Sequence, residues 1–527
     1  MTTVEHSNLE RYQSKLDQLA KFLQAHWDVI NVCMVDFITR DVFATVLCES
    51  DRRELAALSE NDLKNLPADF VQKPTREEGG DCSAHDKLPK FIADIQAHTL
   101  ESLGVIAEGE TYMRSLGLVD NVSLFEHFDR IMGDKKMHEV LRLSQVIGQL
   151  AQNLDLQCLA DIGSGKGYLS SILAAFYEFQ ILAIDAKAGN TSGAEKRDRN
   201  LERKWDALLR RAKIRSEGEA PPMRSKRWKK HLLKKAESDN LEADEMNPSS
   251  SLTQPETSRL QHVTQFVDTT TDLSNMFAEK FGESSTSRFG LIGLHTCGGL
   301  ASHSLRVFVA KEDCPLLVNV GCCYHHLDEE FYRNEHLTDE ENDGCHQNAT
   351  FPLSSTLRSM NFQLGRNARM VAAQPMDRMA SHRELPTPSL LWRAVLQSLL
   401  LESHPNLGFQ DQQVGRIAKK SKTFPHYARA AWEKLALGPF KWTDEEMEKI
   451  FEAEQRKFGH GLNAFYQYRS LFSPLIEGLI LLDRLVFLLE QPDVTEASLV
   501  KLFDPVISPR CFALIAKKAE SNKQKQI

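Results

Sequence analysis

The chain lacks the features that mark secreted and membrane proteins. Residues 1–21 are polar and contain no apolar core of the kind found in a signal peptide. The most apolar stretch, residues 471–489, contains Glu477, Asp483 and Arg484, and each charge would cost roughly 2.5–3.5 kcal/mol at the centre of a bilayer. The ten cysteines are scattered, not clustered in a short disulfide framework. We therefore expect no membrane span, reduced thiols, and a cytoplasmic and/or nuclear protein.

The overall composition is that of an ordinary globular protein, with one local exception in charge. Hydrophobic residues make up 42% and charged residues 26% of the 527 positions, so the chain can bury large cores in several domains. The net charge of −9 argues against a nucleic-acid partner. Residues 187–235, however, contain 17 Lys and Arg against 6 Asp and Glu. The sequence thus predicts a basic segment on an acidic protein.

Apolar patterns along the chain predict an α/β core. Short apolar runs bounded by Gly, Asp or Asn alternate with helical patterns, which is typical of βαβ units on a parallel sheet. The predicted strands are residues 158–162, 180–184, 262–267, 289–294, 316–320 and, near the end, 511–516. We therefore predict a Rossmann-like α/β sheet with helices on both faces.

The same patterns predict four regions. They are an N-terminal helical region (1–130), a Rossmann-like core (131–330) with a basic, disordered insertion (215–258), a helical insertion (331–470), and a C-terminal region (471–527). In the last region an apolar helix, a short helix and a strand are expected to complete the core.

A glycine-rich loop after the first predicted strand is the strongest functional motif. It reads Asp161-Ile-Gly163-Ser164-Gly165-Lys-Gly167 and leads directly into an amphipathic helix. Glycines let the backbone turn tightly and approach a ligand, and the helix N-terminus offers unpaired N–H groups to a polar ligand tail such as a carboxylate. The G-x-G-x-G spacing differs from the G-x-G-x-x-G of dinucleotide sites, and no P-loop is present.

Acidic residues at successive strand ends indicate which ligand the loop binds. Asp161 suits a cofactor with a cationic amino group at that end, which NAD lacks. Asp185, after the second run, would accept hydrogen bonds from both ribose hydroxyls, and Asp268, after the third, would contact the adenine edge. This set favours S-adenosyl-L-methionine over a nicotinamide cofactor, and hence a class I methyltransferase sheet.

The ends of the fourth and fifth predicted strands supply the methyl-acceptor side. The candidate residues there are His295, Cys297, Cys322, Cys323, Tyr324 and His325. In one interpretation His295 is the general base or orients the nucleophile, because an imidazole titrates near neutral pH. Tyr324 then stacks on the substrate or shapes the pocket.

Two further interpretations concern the cysteines. A zinc site would use His295, Cys297, one of Cys322 and Cys323, and His325. However, no C-x-x-C pair exists, and adjacent cysteines on a strand point to opposite faces, so we predict no metal site. Alternatively, Cys297 is a covalent nucleophile, as cytosine-C5 methylation requires. The plainer alternative for each cysteine is a small buried residue at a crowded strand end.

Five further motifs lie along the chain: KKMHEV (135–140), LHTCGGL (294–300), VNVGCCYH (318–325), LLDRL (481–485) and SPR (508–510). Together they resemble the methyltransferase-like protein 25 group, which includes the protein named "ribosomal RNA adenine dimethylase domain-containing". The resemblance covers residues from about 20 to 517. It implies an S-adenosyl-L-methionine-dependent methyltransferase. Within it, Lys135, Lys136, His138 and Glu139 would line the cofactor or substrate entrance, with a solvated helix start as the alternative.

Two departures limit what the resemblance implies. Adenine-N6 dimethylases are similar to one another in carrying Asn-[Leu/Ile/Val]-Pro-[Tyr/Phe] at the fourth strand, where this chain has His295-Thr296-Cys297-Gly298. The usual Cys-Gly-Asp of the group is also Cys297-Gly298-Gly299 here. Adenine dimethylation is therefore not expected, whereas the cofactor prediction is unaffected.

The basic insertion provides the sequence argument for an RNA acceptor. Within residues 224–235, clustered cations such as Arg227 and Lys229 would release counterions from a phosphate backbone, and Trp228 would stack on a base. A nuclear localisation signal and a solvated loop are the alternatives. No feature indicates DNA, and the sequence identifies no protein partner. The predicted function is methyl transfer to RNA, with a protein acceptor or a non-catalytic cofactor-binding scaffold as alternatives.

Overall fold

The structure is a computed structural model. It describes residues 3–72, 87–118, 132–199, 259–282, 288–331, 349–405 and 414–519, with side chains from residue 8 onward. Within these ranges, no helix combines the length and the apolar character needed to cross a bilayer.

Eight described strands form one sheet. They are β1 (Ile106–Glu108), β2 (Cys158–Ile162), β3 (Gln180–Asp185), β4 (Leu260–Thr264), β5 (Phe289–Cys297), β6 (Leu316–Cys322), β7 (Val494–Lys501) and β8 (Phe512–Lys518), in the order β1-β7-β8-β6-β5-β2-β3-β4. Strands β2, β3, β4 and β5 pair in parallel, and every residue of β2 is buried. Continuous burial explains why these strands are apolar runs without alternation.

Nineteen described helices accompany the sheet. They are α1 (Thr3–Ala25), α2 (Trp27–Ile30), α3 (Val42–Thr45), α4 (Glu49–Ala57), α5 (Glu60–Val71), α6 (Lys87–Ala97), α7 (Gly109–Ser115), α8 (Asp134–Asn153), α9 (Tyr168–Phe176), α10 (Leu273–Phe281), α11 (Gly299–Ala310), α12 (Ser355–Ser359), α13 (Arg366–Val371), α14 (Met376–His382), α15 (Ser389–Ser403), α16 (Gly415–Ala418), α17 (Phe424–Lys434), α18 (Asp444–Ser470) and α19 (Ser473–Leu489). Residues 188–199 are also helical, and short 3-10 turns occur at Met34–Asp36 and Tyr324–His326.

The strand order places a topological switch point at β2. The chain moves from β2 to β3 on one side, and β5 later pairs with the other side of β2. In open α/β sheets, ligands bind in the crevice beyond the carboxyl ends of the strands at such a point. The loop that follows β2 is the glycine-rich loop, so the topology supports a ligand site there.

Strand β8, near the carboxyl end of the chain, is antiparallel to its neighbour β6. The amide of Lys518, at the end of β8, donates a hydrogen bond to the carbonyl of Pro315, just before β6 begins. Strands that meet end to start in this way are antiparallel, so the sheet is mixed. The predicted Rossmann-like α/β fold is confirmed.

Three details of the secondary-structure prediction were wrong. The short helix expected before the last strand is strand β7, and the N-terminal region, predicted as helical throughout, contains β1. The third predicted strand, residues 262–267, is displaced: β4 ends at Thr264. Phe266, which lies within the predicted strand, is 63% exposed.

Two compact units make up the chain. The first comprises Met1–Ala107, Thr296–Leu305 and Val320–Ala516; the second comprises Glu108–His295, Arg306–Asn319 and Lys517–Ile527. In the first unit, α19 is almost wholly buried, and its Asp483 accepts hydrogen bonds from the amides of Leu353 and Ser354. In the second unit, α9 packs on β3. The four-region division made from the sequence stays a prediction.

Candidate functional site

The glycine-rich loop of the second unit is held against the end of β3. Gly163, Gly165 and Gly167 all have left-handed backbones, with φ of 74°, 56° and 73°. The amides of Gly163 and Ser164 donate to the carbonyl of Ile184 at 2.8 and 3.1 Å. Residues other than glycine rarely adopt these backbone angles, so the conformation of the loop favours glycine at all three positions. The result is a tight bend immediately before the N-terminus of α9.

Asp161 lies buried at the end of β2, beside this bend. Its Oδ2 accepts a hydrogen bond from Ser170 Oγ at 2.5 Å, whereas no donor in the described part of the chain reaches Oδ1. Burial raises the pKa of Asp161 to about 6, although the hydrogen bond from Ser170 opposes the rise. An unmatched buried acceptor is costly, and a cationic amino group would satisfy it. The residue therefore fits the predicted end of the cofactor.

Asp185 lies at the end of β3 and contacts the glycine-rich loop directly. Its Oδ2 accepts from the amide of Gly165 at 3.1 Å, and its Oδ1 accepts from the amide of Lys187 at 2.8 Å. The side-chain amide of Asn190 lies 3.1 Å from both oxygens. The two backbone bonds orient the carboxylate at the bend. Ribose hydroxyls would replace the Asn190 amide and leave both backbone bonds intact.

Asp268 does not occupy the strand end at which it was predicted. It lies four residues beyond Thr264, the last residue of β4. Its Oδ1 accepts from the amide and the hydroxyl of Thr270 and from the hydroxyl of Thr271, and the bonds from Thr270 lower its pKa. The carboxylate is thus used in a local turn. Its contact with the adenine edge was predicted from a position at the end of a strand, and Asp268 does not have that position.

A second cluster in the same unit joins α8 to the end of β5. Glu139 is fully buried, and its carboxylate lies 2.9 Å from Nε2 of His295 and 2.9 Å from Nζ of Lys136. Lys135 contributes a longer contact of 3.7 Å. Lys136 also acts electrostatically on Asp161, although burial outweighs this effect and raises the pKa of that carboxyl. Of the two lysines predicted to line the cofactor or substrate entrance, Lys136 therefore lies near Asp161.

His295 interrupts the strand that carries it. Its φ is 65°, within the left-handed region, although it lies inside β5. A non-glycine residue in this region costs on the order of 1–3 kcal/mol, and such residues concentrate at functional sites. The side chain remains 25% exposed, whereas its partner Glu139 is not exposed at all. The imidazole is thus both anchored and accessible.

Three thiols converge in the first unit. Sγ of Cys297 lies 3.2 Å from Sγ of Cys322, and the sulfur atoms of Cys297, Cys322 and Cys323 all lie within 4.8 Å of one another. The expectation that Cys322 and Cys323 point to opposite faces was wrong. Cys322 ends β6, and Cys323 has a φ of 53°, which breaks the alternation of an extended strand. Of the three, only Cys322 is buried.

Tyr324 is an interior residue of the first unit. Only 1% of its surface is exposed, and its hydroxyl donates to Oε1 of Glu477 at 2.7 Å. The guanidinium of Arg510 donates to the same oxygen at 2.7 Å, and those of Arg484 and Arg510 lie 5.9 and 5.4 Å from the ring centre. The ring has no exposed face for stacking on a substrate. The alternative, in which Tyr324 shapes the pocket, stays a prediction.

The remaining predicted residues are less informative. His325 lies in the turn after β6 and is largely exposed; partial loss of solvent around its ring, followed by the charge of His326, lowers its pKa. His138 is a partly exposed residue of α8. Arg227, Trp228 and Lys229 lie outside the described residues, so the RNA-binding segment stays a prediction.

Two residues of the site escaped the sequence analysis. Ser170, in the first turn of α9, holds the carboxylate of Asp161, and Asn190 caps that of Asp185. Ser170 could have been identified from its position, because it is a hydroxyl residue three positions after Gly167, the last glycine of the loop. For Asn190 the signal was weaker, since it lay only in its position five residues after Asp185.

Comparisons with known proteins show what the chain is similar to. Residues 135–330 match the family model described as a methyltransferase domain. The chain is 29% identical to "Probable methyltransferase-like protein 25" of Mus musculus and to the protein of the same name of Homo sapiens, over 97% of this chain and 98% of each relative. No solved structure matches the chain. The resemblance to the methyltransferase-like protein 25 group is confirmed, and residues 135–330 are similar to a methyltransferase domain.

Proposed function

We propose that this relative of methyltransferase-like protein 25 transfers a methyl group from S-adenosyl-L-methionine to RNA. The observation that carries the proposal is the contact between Asp185 and the amide of Gly165 at 3.1 Å, because it joins the predicted ribose ligand to the glycine bend. A methyltransferase domain over residues 135–330 supports the reaction class.

The residues at the carboxyl ends of β2 and β3 would bind the donor. Oδ1 of Asp161, which no described donor reaches, would accept a hydrogen bond from the amino group of the donor. Asp185 would accept the ribose hydroxyls, and the N-terminus of α9 would face the donor carboxylate. The bound donor would supply a methyl group carried on a sulfonium. The protein's own contribution is then to position the two reactants and to remove a proton from the acceptor.

His295 would remove that proton. The buried carboxylate of Glu139 accepts a hydrogen bond from Nε2–H, which leaves Nδ1 as the basic nitrogen of the ring. A carboxylate in this position also stabilises the imidazolium that forms on proton uptake. Glu139 thus acts as a positioning residue, whereas His295 would contact the acceptor.

RNA is favoured as the acceptor by the basic segment. Residues 187–235 carry 17 Lys and Arg, and they follow β3, the strand that ends with the proposed ribose ligand. Clustered cations tethered at this strand end would raise the local concentration of a polyanionic substrate. A protein acceptor is the second candidate, and a cofactor-binding scaffold is the third.

Donor binding can be tested with a matched pair of variants. Isothermal titration calorimetry with S-adenosyl-L-methionine should give a single site in the full chain. Asp185→Ala should weaken binding by at least tenfold, or about 1.4 kcal/mol. Asn190→Ala is the control, because it removes only the amide that the ribose would replace. Absence of binding in the wild-type chain, or equal effects of the two variants, would contradict the donor site.

The acceptor requires a separate experiment. Purified protein and radiolabelled S-adenosyl-L-methionine are incubated with RNA and protein fractions from cells that lack this chain. We expect label in the RNA fraction, and loss of that label in His295→Ala while donor binding is retained. Label in the protein fraction alone would establish the second candidate. Donor binding without label in either fraction would favour the scaffold.

A further inference from the structure

We propose that Cys297, Cys322 and Cys323 form a zinc-binding site with three thiolate ligands and an open fourth position. The site lies entirely within the first unit, at the adjacent ends of β5 and β6. It is independent of the donor site proposed above, and its test does not depend on methyl transfer.

The distances between the sulfur atoms are close to those of a tetrahedral zinc site. With Zn–S bonds of about 2.3 Å, tetrahedral geometry separates two sulfur ligands by about 3.8 Å. The three sulfur atoms lie within 4.8 Å of one another, and the shortest separation, from Cys297 to Cys322, is 3.2 Å. Shifts of a few tenths of an ångström to about one ångström would therefore seat the ion, well within side-chain rotation.

The backbone is arranged to bring the three side chains together. The amide of Gly298 donates to the carbonyl of Cys322 at 2.9 Å, which fastens the two strand ends to each other. Gly298 has a φ of 55°, and a Cβ at this position would lie 2.6 Å from Cβ of His326. Cys323 adopts a left-handed backbone without being glycine, which costs free energy. A metal ligand at Cys323 would account for a conformation that the strand alone does not require.

The neighbouring charges suit a thiolate cluster. Three thiolates and Zn²⁺ carry a net charge of −1, which needs a cation nearby. The guanidinium of Arg484 is buried close to Cys322, and its Nη2 has no hydrogen-bond partner within the described ranges. Gly321 makes room for it, because a Cβ there would meet Nη1 of Arg484. Arg510 acts electrostatically on Cys323, although burial raises the pKa of that thiol above its ordinary value. Because Arg510 is already paired with Glu477 at 2.7 Å, Arg484 would balance the excess charge.

Zinc binding would displace the thiol protons. Three S–H groups release three protons to solvent as three Zn–S bonds form, and no oxidant or reductant is needed. Without a metal, the close packing of these thiols disfavours their ionisation. The pKa of Cys322 is raised mainly by its hydrogen bond with Cys297 and, as a smaller cause, by burial. Thiolate ligands favour zinc over harder cations such as Mg²⁺. Cys297 is exposed, so the fourth position is open to water or to a substrate group.

The experiment measures metal in the purified full chain. Protein produced with added zinc and dialysed in reducing buffer is analysed by plasma mass spectrometry, and competition with a chromophoric chelator gives the affinity. We expect one zinc per chain, and at least tenfold weaker binding in Cys297→Ser and in Cys323→Ser. Cys48→Ser is the control, because Cys48 is an exposed thiol of the same unit outside the cluster.

A spectroscopic measurement covers the case in which a variant folds poorly. Cobalt(II) added to the zinc-free wild-type chain should give thiolate-to-metal charge-transfer absorption. This absorption should be weaker by about one third in Cys297→Ser. Circular dichroism checks that the variant is folded. Substoichiometric zinc and no charge-transfer band in the wild-type chain would overturn the proposal. So would retention of full affinity in both cluster variants, or a disulfide between Cys297 and Cys322 in reducing buffer. Donor binding by calorimetry should be unaffected by Cys297→Ser, which separates this proposal from the proposed function.

Discussion

Nε2 of His295 lies 2.9 Å from Oε2 of Glu139, a carboxylate with no exposed surface. The two residues are separated by 156 positions in the sequence, and one is on a helix and the other on a strand. A buried carboxylate that holds one ring nitrogen fixes the tautomer of the imidazole and leaves the other nitrogen for proton transfer. Lys136, 2.9 Å from the same carboxylate, partly offsets the cost of burying its charge.

The first prediction concerns this pair. His295→Ala should lower kcat for methyl transfer by roughly 10²–10⁴-fold, the usual contribution of a general base, without changing the affinity for S-adenosyl-L-methionine. Glu139→Gln should lower kcat by a smaller factor, because the imidazole is still present but less well oriented. Single-turnover kinetics with labelled donor measure both effects.

A control on the same helix separates this mechanism from loss of fold. Arg142 also lies on α8, but its ion pair is with Glu110, at 2.7 Å. Arg142→Gln should leave kcat at the wild-type value. If it lowers kcat as strongly as Glu139→Gln does, the effect of Glu139 comes from general damage to α8.

The second prediction concerns the pH dependence of donor binding. Burial raises the pKa of Asp161 to about 6, and a cationic amino group binds the ionised form. Donor affinity should therefore rise as pH increases toward about 6, by up to about tenfold per pH unit, and level off above it. Calorimetric titrations between pH 5 and pH 8 measure this. Asp161→Asn should bind more weakly and remove this portion of the pH dependence.

The same pKa shift has a consequence of opposite sign for stability. The pKa of Asp161 in the fold exceeds its ordinary value of 3.8, so folding takes up a proton between that pH and about 6. The contribution of this carboxyl to the free energy of unfolding thus falls as pH rises through that window, by on the order of 3 kcal/mol. Urea unfolding of Asp161→Asn should not show this decrease. An unchanged pH profile in the variant would place the pKa of Asp161 near its ordinary value.

The sequence was most informative where burial is continuous. The predicted first strand coincides with β2, since all five of its residues are buried and apolar character is then a direct signal. Strand β7 was mistaken for a helix because Glu496-Ala497-Ser498 carry little strand propensity, and only pairing within the sheet fixes their conformation. Tertiary pairing overrides local preference there.

In the candidate site, too, local sequence features could be predicted and tertiary contacts could not. The glycine-rich loop and Asp185 could be predicted because strand ends and glycine spacing are local features. The contact between Glu139 and His295 could not, since it depends on how α8 and β5 pack. The convergence of the thiols depends on backbone angles such as the φ of 53° at Cys323, which a sequence pattern does not reveal.

The third prediction separates two glycines of the loop. A Cβ at Gly165 would meet only the carbonyl oxygen of Gly163, at 3.7 Å, whereas a Cβ at Gly167 would lie 3.2 Å from Ala194 and 3.3 Å from His262. Both positions have left-handed backbones, so each alanine costs about 1–2 kcal/mol of strain. Gly165→Ala should weaken donor binding at least tenfold, because the new methyl group enters the space at the bend.

Gly167→Ala supplies the comparison for that variant. It should lower the unfolding free energy by more than Gly165→Ala does, because its methyl group also crowds Ala194 and His262. Chemical denaturation and calorimetry on both proteins give the two quantities. Wild-type donor affinity in Gly165→Ala would show that the donor does not approach this bend.

The last prediction concerns Tyr324 and Glu477. Tyr324→Phe keeps the ring but removes the hydrogen bond to a buried carboxylate, and should lower the unfolding free energy by roughly 1.5–3 kcal/mol. Glu477→Gln should cost more, about 3–5 kcal/mol, because it leaves the guanidinium of Arg510 buried without its counter-charge. Neither KM for the acceptor nor donor affinity should change in Tyr324→Phe once the folded fraction is taken into account. A raised acceptor KM together with unchanged stability would instead place the hydroxyl of Tyr324 against the substrate.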